Sequence, residues 1–210
     1  MYLSDTTVEL YRIFDAMNTK FFEGKLEEPI ITIQKTRKGT RGWFEVEPLW
    51  VKNGDQEIAK YEINISSRIF RIDSDEDVYE LVGTLLHEMC HYSNSAIKHI
   101  KDCSGAIHNK RFAQEAERVG LVVEHSKKNG YGITSPSEKL IEYIKNELKP
   151  NRSALVYYHA EKEKPEGAST KEKPTKYTYT CPKCGKSFTL KKQHNIKCGD
   201  CDEPFEVTEE

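Results

Sequence analysis

The run His87-Glu88-Met89-Cys90-His91 limits what this chain can fold into more than any other stretch. It reads H-E-x-x-H and lies where apolar residues recur at helical steps. Two histidines four residues apart stand one above the other on a helix face, so both imidazoles can reach one Zn²⁺. The intervening glutamate then lies beside the metal's open position, where it can take a proton from the attacking water. This is a metal-dependent peptide hydrolase site in outline. Val78, Leu81, Val82, Leu85, Leu86 and Met89 form one apolar stripe. At about 100° per residue, His87 and His91 project away from its centre. Ser74, with Asp77 three residues on and Asp73, Asp75 and Glu76 nearby, supplies a helix start. The plain alternative is an amphipathic helix with two solvent-facing histidines.

A hydrolytic zinc needs a third protein ligand. The metzincin continuation fails, because Asn94 and Ile97 stand where its glycine and third histidine belong. Three readings follow. His99 is near in sequence but needs a tight turn out of the helix. Glu115 or Glu117 would give a two-histidine, one-carboxylate site. His108 opens a second periodic segment, with Phe112, Ala116 and Val119 on one face and Gly120 as its stop. That helix would bury Phe112 against the first and carry His108 toward the metal.

His87-Glu88-Met89-Cys90-His91, a loop, and then His108-Asn109-Lys110-Arg111-Phe112 resembles the SprT-like (Spartan-type) metallopeptidase family. Leu10 to Asp15, Asn18, Phe22 and Leu26 upstream are similar too. The resemblance covers about residues 5–150, and a C-terminal zinc ribbon extends it. It implies an α+β, zincin-like domain of helices and a small antiparallel sheet. It implies His87, His91 and His108 as ligands of a catalytic Zn²⁺, and Glu88 as general base. Where the family usually has glycine after the third histidine, this chain has Asn109, a residue that tolerates a left-handed turn.

At 210 residues there is room for one core and a small appendage. A formal net charge of −2 gives no global basic field. No stretch of about 18 apolar residues argues for a membrane span, and Met1 to Asp5 do not read as a signal peptide. Four of the six cysteines have metal spacing, leaving Cys90 and Cys103, so a reducing cytoplasm is expected, with nucleoid association open. Cys90 reads as a small apolar packing residue.

Along the chain, residues 5–23 read as a helix ended by Gly24. Ile30–Ile33, Trp43–Val46 and Tyr61–Ile65 read as strands of a small antiparallel sheet, the last two joined through Asn53-Gly54-Asp55. Trp43 and Trp50 are expected in the core rather than lining a groove. His125 and Lys127-Lys128-Asn129-Gly130 read as an exposed loop. Leu140, Ile141, Ile144 and Leu148 form a short helical stripe after Ser137, and Leu155–Tyr158 a terminal strand or packing strap. The expected organisation is a metallopeptidase domain over 1–158, a linker over 159–176 and a ribbon over 177–210.

Cys181-Pro182-Lys183-Cys184, thirteen residues, then Cys198-Gly199-Asp200-Cys201 is paired C-x₂-C spacing. Each pair makes a knuckle, and four thiolates close a tetrahedron around a structural Zn²⁺. Gly185 and Gly199 suit the knuckle turns. Residues 171–197 carry eight lysines (171, 173, 176, 183, 186, 191, 192 and 197) against one acid, Glu172, whereas 200–210 carry six acids and no base. With Tyr177, Tyr179 and Phe188, the lysines could follow a single-stranded DNA backbone and stack its bases; the bland reading is a solvated charge run. The resemblance adds that Spartan-type members are DNA-dependent proteases acting on proteins crosslinked to DNA. The expected function is therefore zinc-dependent hydrolysis of a protein substrate, with one catalytic and one structural zinc, DNA as a partner and no membrane. The competing function is a non-proteolytic nucleic-acid-binding adaptor in which both zincs are structural. No side-chain electrophile is assignable, Tyr92 and Tyr131 being guesses.

Overall fold

A computed structural model describes residues 2–52, 55–158 and 175–209. The chain divides into two compact units, Met1–Ala160 and Glu161–Glu210. The first combines helices with small sheets and the second is a small sheet, so the chain as a whole is α+β. The expected linker residues 159–174, with Lys171, Glu172 and Lys173, lie outside the described residues, as do Asn53 and Gly54.

In the first unit, α1 (Leu3–Phe22) turns Leu10, Ile13, Phe14 and Met17 fully inward. It ends where Glu23 and Gly24 take left-handed conformations. Buried Asn18 then clamps the returning chain, donating to and accepting from the backbone of Leu26. The central helix is α2 (Asp75–Tyr92). Its start is the anticipated capping box: Ser74 Oγ accepts from Asp77 N, and the Asp77 carboxylate accepts from Ser74 N at 2.8 Å. Such a cap is worth about 1 kcal/mol. The stripe from Val78 to Met89 is buried in the core with α1, and Cys90 is fully buried beside it. Burial pushes the Cys90 thiol well above its usual pKa, as fits a packing residue.

The first sheet differs from expectation. β1 (Ile30–Gln34), β2 (Gly42–Phe44) and β5 (Glu62–Ser66) are ordered β1-β5-β2, with β5 parallel to β1 and antiparallel to β2. The sheet is mixed, not antiparallel, because β5 is central and buried along its length, as a parallel pairing demands. Between β2 and β5 in the chain lie β3 (Trp50–Lys52) and β4 (Asp55–Lys60), which pair antiparallel as a separate two-stranded sheet, so β2 does not lead directly into β5. Neither tryptophan is core: Trp43 is half-buried, and exposed Trp50 donates its indole N–H to Glu62 at 2.6 Å.

A second sheet, ordered β6-β7-β9-β8, replaces the loop expected after Gly120. It contains β6 (Cys103–Ser104), β7 (Ile107–His108), β8 (Leu121–Ser126) and β9 (Gly130–Pro136). Lys127 to Asn129 are the turn of the β8–β9 hairpin, so polar turn residues masked two strands. Between β7 and β8 runs α3 (Lys110–Arg118). The helix α4 (Glu138–Tyr143), capped by Ser137, passes into a π turn (Ile144–Leu148) that buries Ile144 and Leu148. Arg152–Ala154 form a 3-10 turn, and buried Leu155 closes a strap rather than a strand. Thr6 holds this strap through the Ala154 carbonyl at 2.6 Å.

The second unit is a three-stranded antiparallel sheet, ordered β11-β10-β12, of β10 (Tyr177–Thr180), β11 (Ser187–Leu190) and β12 (Glu206–Glu209). Tyr179 is fully buried and stacks on half-exposed Phe188, with ring centroids 5.1 Å apart. Among the described residues no helix is long and apolar enough to cross a membrane.

Candidate metal centres and their cleft

Ligand-capable atoms of His87, His91 and His108 lie within 4.8 Å of one another. The first two come from the cleft face of α2, a helical turn apart. His108 comes from β7, not from a helix. Asn109, which follows it, is extended at φ −99°, so the left-handed turn anticipated there is not made. Asn109 instead caps α3, its side-chain oxygen accepting from Arg111 N and Phe112 N. Its amide donates to Lys101 O, and its backbone N–H donates to Asp102 O. One asparagine thus fixes both the start of α3 and the loop that carries Asp102. His99 and Glu117 are not in the histidine cluster. Glu115 is buried elsewhere, against Ser93, Lys98 and Arg118.

The outer ring nitrogens settle what the inner ones can do. His91 Nδ1 lies 2.8 Å from the Asp102 carboxylate, and His108 Nδ1 lies 3.2 Å from the Ala106 carbonyl. Neither partner can donate, so both Nδ1 atoms carry the proton and both Nε2 atoms present lone pairs. His87 Nδ1 meets Thr134 Oγ1 at 2.9 Å. His108 Nε2 is 3.0 Å from His91 Nε2 and 3.2 Å from His87 Nε2. Lone pairs this close repel unless a cation lies among them. Nitrogens on the corners of a zinc tetrahedron stand about 3.4 Å apart, so the donor set fits a divalent ion of that size. Burial, reinforced by the neighbouring imidazoles, lowers the His87 pKa well below its usual value and lowers that of His108, which keeps them in the neutral, ligating form. Asp102 also accepts from Asn94 at 3.0 Å. Burial works to raise its pKa, but the bonds from His91 and Asn94 hold it below the usual range, so it stays an acceptor.

Phe112 packs against all three imidazoles, with ring centroids 4.5, 4.5 and 4.6 Å from His87, His91 and His108. On another side two glycines of β9 let its backbone pass His108. A Cβ at Gly130, where φ is +58°, would lie 2.2 Å from His108 O. One at Gly132 would lie 2.4 Å from His108 Nδ1. Glu88 is 5 % exposed, and burial pushes its carboxyl up to about 7, with His91 opposing and Asp102 adding to the rise. Gly42 of β2 lies against it: a Cβ there would stand 2.9 Å from Glu88 Oε1.

Gly42, His87, Glu88, His91, His108 and Gly132 line a cleft of about 890 Å³. One wall is the segment 39–46, including β2, and the other is β9 from Gly132 to Pro136. Such an arrangement offers three neutral nitrogen donors and a carboxyl poised near neutral pH beside an extended groove. Sequence reasoning did not find Asp102, Thr134, Gly42, Gly130 or Gly132. Only Gly130 had a local signal, its place in a turn-like run; the others act through contacts distant in sequence.

Ligand-capable sulfurs of Cys181, Cys184, Cys198 and Cys201 also lie within 4.8 Å of one another. Cys184 and Cys198 Sγ are 3.8 Å apart, close to the edge of a tetrahedron with 2.3 Å bonds, about 3.8 Å. The first knuckle turns at Gly185 as expected, with φ +71°. In the second, Gly199 lies in the turn but does not take a positive φ. Asp202 takes the left-handed position there, at φ +54°, and its N–H donates to Cys198 O. None of the six cysteines is in a disulfide.

Fold and site define an α+β protein with a three-histidine candidate metal centre in a cleft and a separate four-cysteine candidate centre. The profile of the SprT-like family matches residues 10–134, more than half of the 210-residue chain, and the chain belongs to that family. The match takes in His87, Glu88, His91, Asp102, His108 and Thr134, and stops before the cysteine cluster. Searches of curated proteins and of solved structures returned no match.

Proposed function

We propose that this chain is a zinc metallopeptidase of zincin-like fold that hydrolyses peptide bonds in proteins bound or crosslinked to DNA in the cytoplasm or on the nucleoid. The observation that carries the reading is the convergence of three imidazole Nε2 atoms beside the buried Glu88 carboxyl. His87, His91 and His108 would hold the ion through Nε2. When bound, zinc supplies Lewis acidity toward a water and a carbonyl oxygen. Glu88 accepts the proton of the attacking water and returns it to the leaving amine, a role suited to a carboxyl near neutral pH. Asp102, Ala106 O and Thr134 keep the imidazoles oriented. Among the described residues strand β2 is paired on one side only. Its other edge can take an extended substrate by backbone pairing, which recognises unfolded chain with little sequence preference.

A site serving only to hold the fold together has no use for a buried carboxyl facing an open groove, which disfavours the adaptor reading. The four cysteines leave no open position, so a zinc there is structural. DNA contact rests on the ribbon unit. Lys176, Lys183, Lys191 and Lys192 are exposed there with half-exposed Phe188, whereas Lys186 and Lys197 pair with Asp200 and Asp202.

The test is digestion of a DNA-binding protein by the zinc-loaded chain and by Glu88→Gln, each with and without single-stranded DNA. Cleavage by the unaltered chain alone, stimulated by DNA and lost as salt rises, is the expected result, with a loss in Glu88→Gln of roughly 10²- to 10⁴-fold. Equal cleavage by Glu88→Gln would overturn the assignment. No cleavage at all, with DNA still bound, would favour the adaptor.

A further inference from the structure

We propose that the cleft selects a lysine or arginine side chain immediately after the cleaved bond; this rests on the peptidase reading above. Three contacts fix the direction of β2 against α2. Arg41, just before β2, pairs with Glu80 at 2.9 Å. Gly42 lies against Glu88. Phe44 stacks on Tyr92, with centroids 5.2 Å apart. Strand and helix therefore run in the same sense. A substrate backbone added antiparallel to the free edge of β2 runs the other way, from the Tyr92 end toward the Glu80 end. Residues after the scissile bond consequently enter the part of the cleft floored by the first half of α2.

That part has a defined chemistry. Glu76, Glu80 and His87 recur on one helix face, and all three line the cleft. Glu80 lies about 10 Å along the axis from His87, a distance that an extended lysine or arginine and the glutamate side chain can span together. The walls are apolar where a long aliphatic stem would lie: Tyr79, Pro136 and Ile141 all line it. Gly83 lets the wall close on the helix here, since a Cβ would stand 2.9 Å from Pro136 Cγ. Arg41 is the lining cation at this end, and Glu80 already engages it. Glu76 has no ion pair among the described residues. Neighbouring Asp75 pairs with Arg152, and Asp77 is committed to the helix cap. Lys145, 5.3 Å from the Tyr79 ring, lines a separate hollow. Two carboxylates thus face one cation, and the pocket has room for a second. Glu76 also complements the α2 dipole from its first turn. That role does not account for Glu80, a turn further on and facing the cleft.

The experiment digests a denatured mixed-peptide library with the zinc-loaded full chain in the presence of single-stranded DNA, and reads the new N-termini by mass spectrometry. Lysine and arginine should be enriched about fivefold at the first position after the cut, the size of one partly exposed charge pair. Glu80→Gln should bring that enrichment to about twofold or less, and Glu80→Arg should turn it toward aspartate and glutamate. Cleavage with no basic enrichment, or with one indifferent to Glu80→Gln and Glu80→Arg, would overturn the subsite while leaving the peptidase standing. No cleavage beyond that of Glu88→Gln would remove the peptidase reading, and the subsite with it.

Discussion

The two candidate metal centres hold their donors in opposite ways. The cysteine cluster is assembled by its own immediate neighbours, each pair sitting on a tight knuckle closed by backbone bonds such as Cys181 N to Lys186 O and Cys198 N to Glu203 O. Little else supports it. Among the described residues of that unit, Tyr179, Cys181 and Cys198 are the buried apolar side chains. The histidine centre draws on distant chain. Its candidate ligands come from α2 and β7, their ring hydrogen-bond partners from Asp102, Ala106 and Thr134, and its apolar backing from Phe112. Beneath it runs a core from Leu10 to Leu155. A centre of the first kind leans on its metal to fold; one of the second is built before the metal arrives.

Chelation gives the largest contrast. Structural zinc in units of this size contributes about 10–16 kcal/mol to folding, so a chelator should abolish amide protection over 177–209 and leave α1 and α2 protected in hydrogen exchange. Equal loss in both units would break the distinction. Replacing Asp102 by alanine is the next largest test. It should weaken metal binding at the histidines by about 10- to 100-fold without unfolding the unit, as read by competition with a chromophoric chelator. Unchanged affinity would mean that the carboxylate does not orient His91.

The smallest effect is a stability term from Glu115. Burial works to raise its carboxyl, but bonds from Arg118, Lys98 and Ser93 outweigh it and hold the pKa at about 2, against an ordinary 4.5. A carboxyl depressed on folding stabilises the fold above its unfolded pKa, and that contribution fades as pH falls from about 4.5 to about 2. Glu115→Gln should cost about 2 kcal/mol at pH 7 and flatten the acid limb of a denaturation series across that window. An identical acid limb in wild type and variant would remove Glu115 from the account.

The same contrast explains what could be read from sequence. Both knuckles were legible because their determinants lie within a few residues, although the left-handed position of the second fell on Asp202 rather than Gly199. His87, Glu88 and His91 were legible as neighbours on one helical segment, and the Ser74–Asp77 cap as a local bond. Pattern alone left His108 among several third partners, because β7 and β9 bring it into place. The β8–β9 hairpin was hidden by a polar turn and by strands whose faces are only partly buried. The mixed pairing around β5 depends on which strands meet, and alternation within one strand does not encode that.

Gly42 shows how a position with no chemistry of its own can govern the chemistry beside it. A methyl group there would meet a movable carboxyl end at 2.9 Å and the backbone carbonyl of Asn64 at the same distance, so the carboxyl would have to yield and β2 to shift against β5. On the reading proposed above, a single added carbon leaves His87, His91, His108 and Glu88 in the sequence and still disables cleavage, by moving the Glu88 carboxyl out of line. Genetic variation at this glycine would thus mimic loss of Glu88 while sparing every residue that a search for reactive groups would inspect.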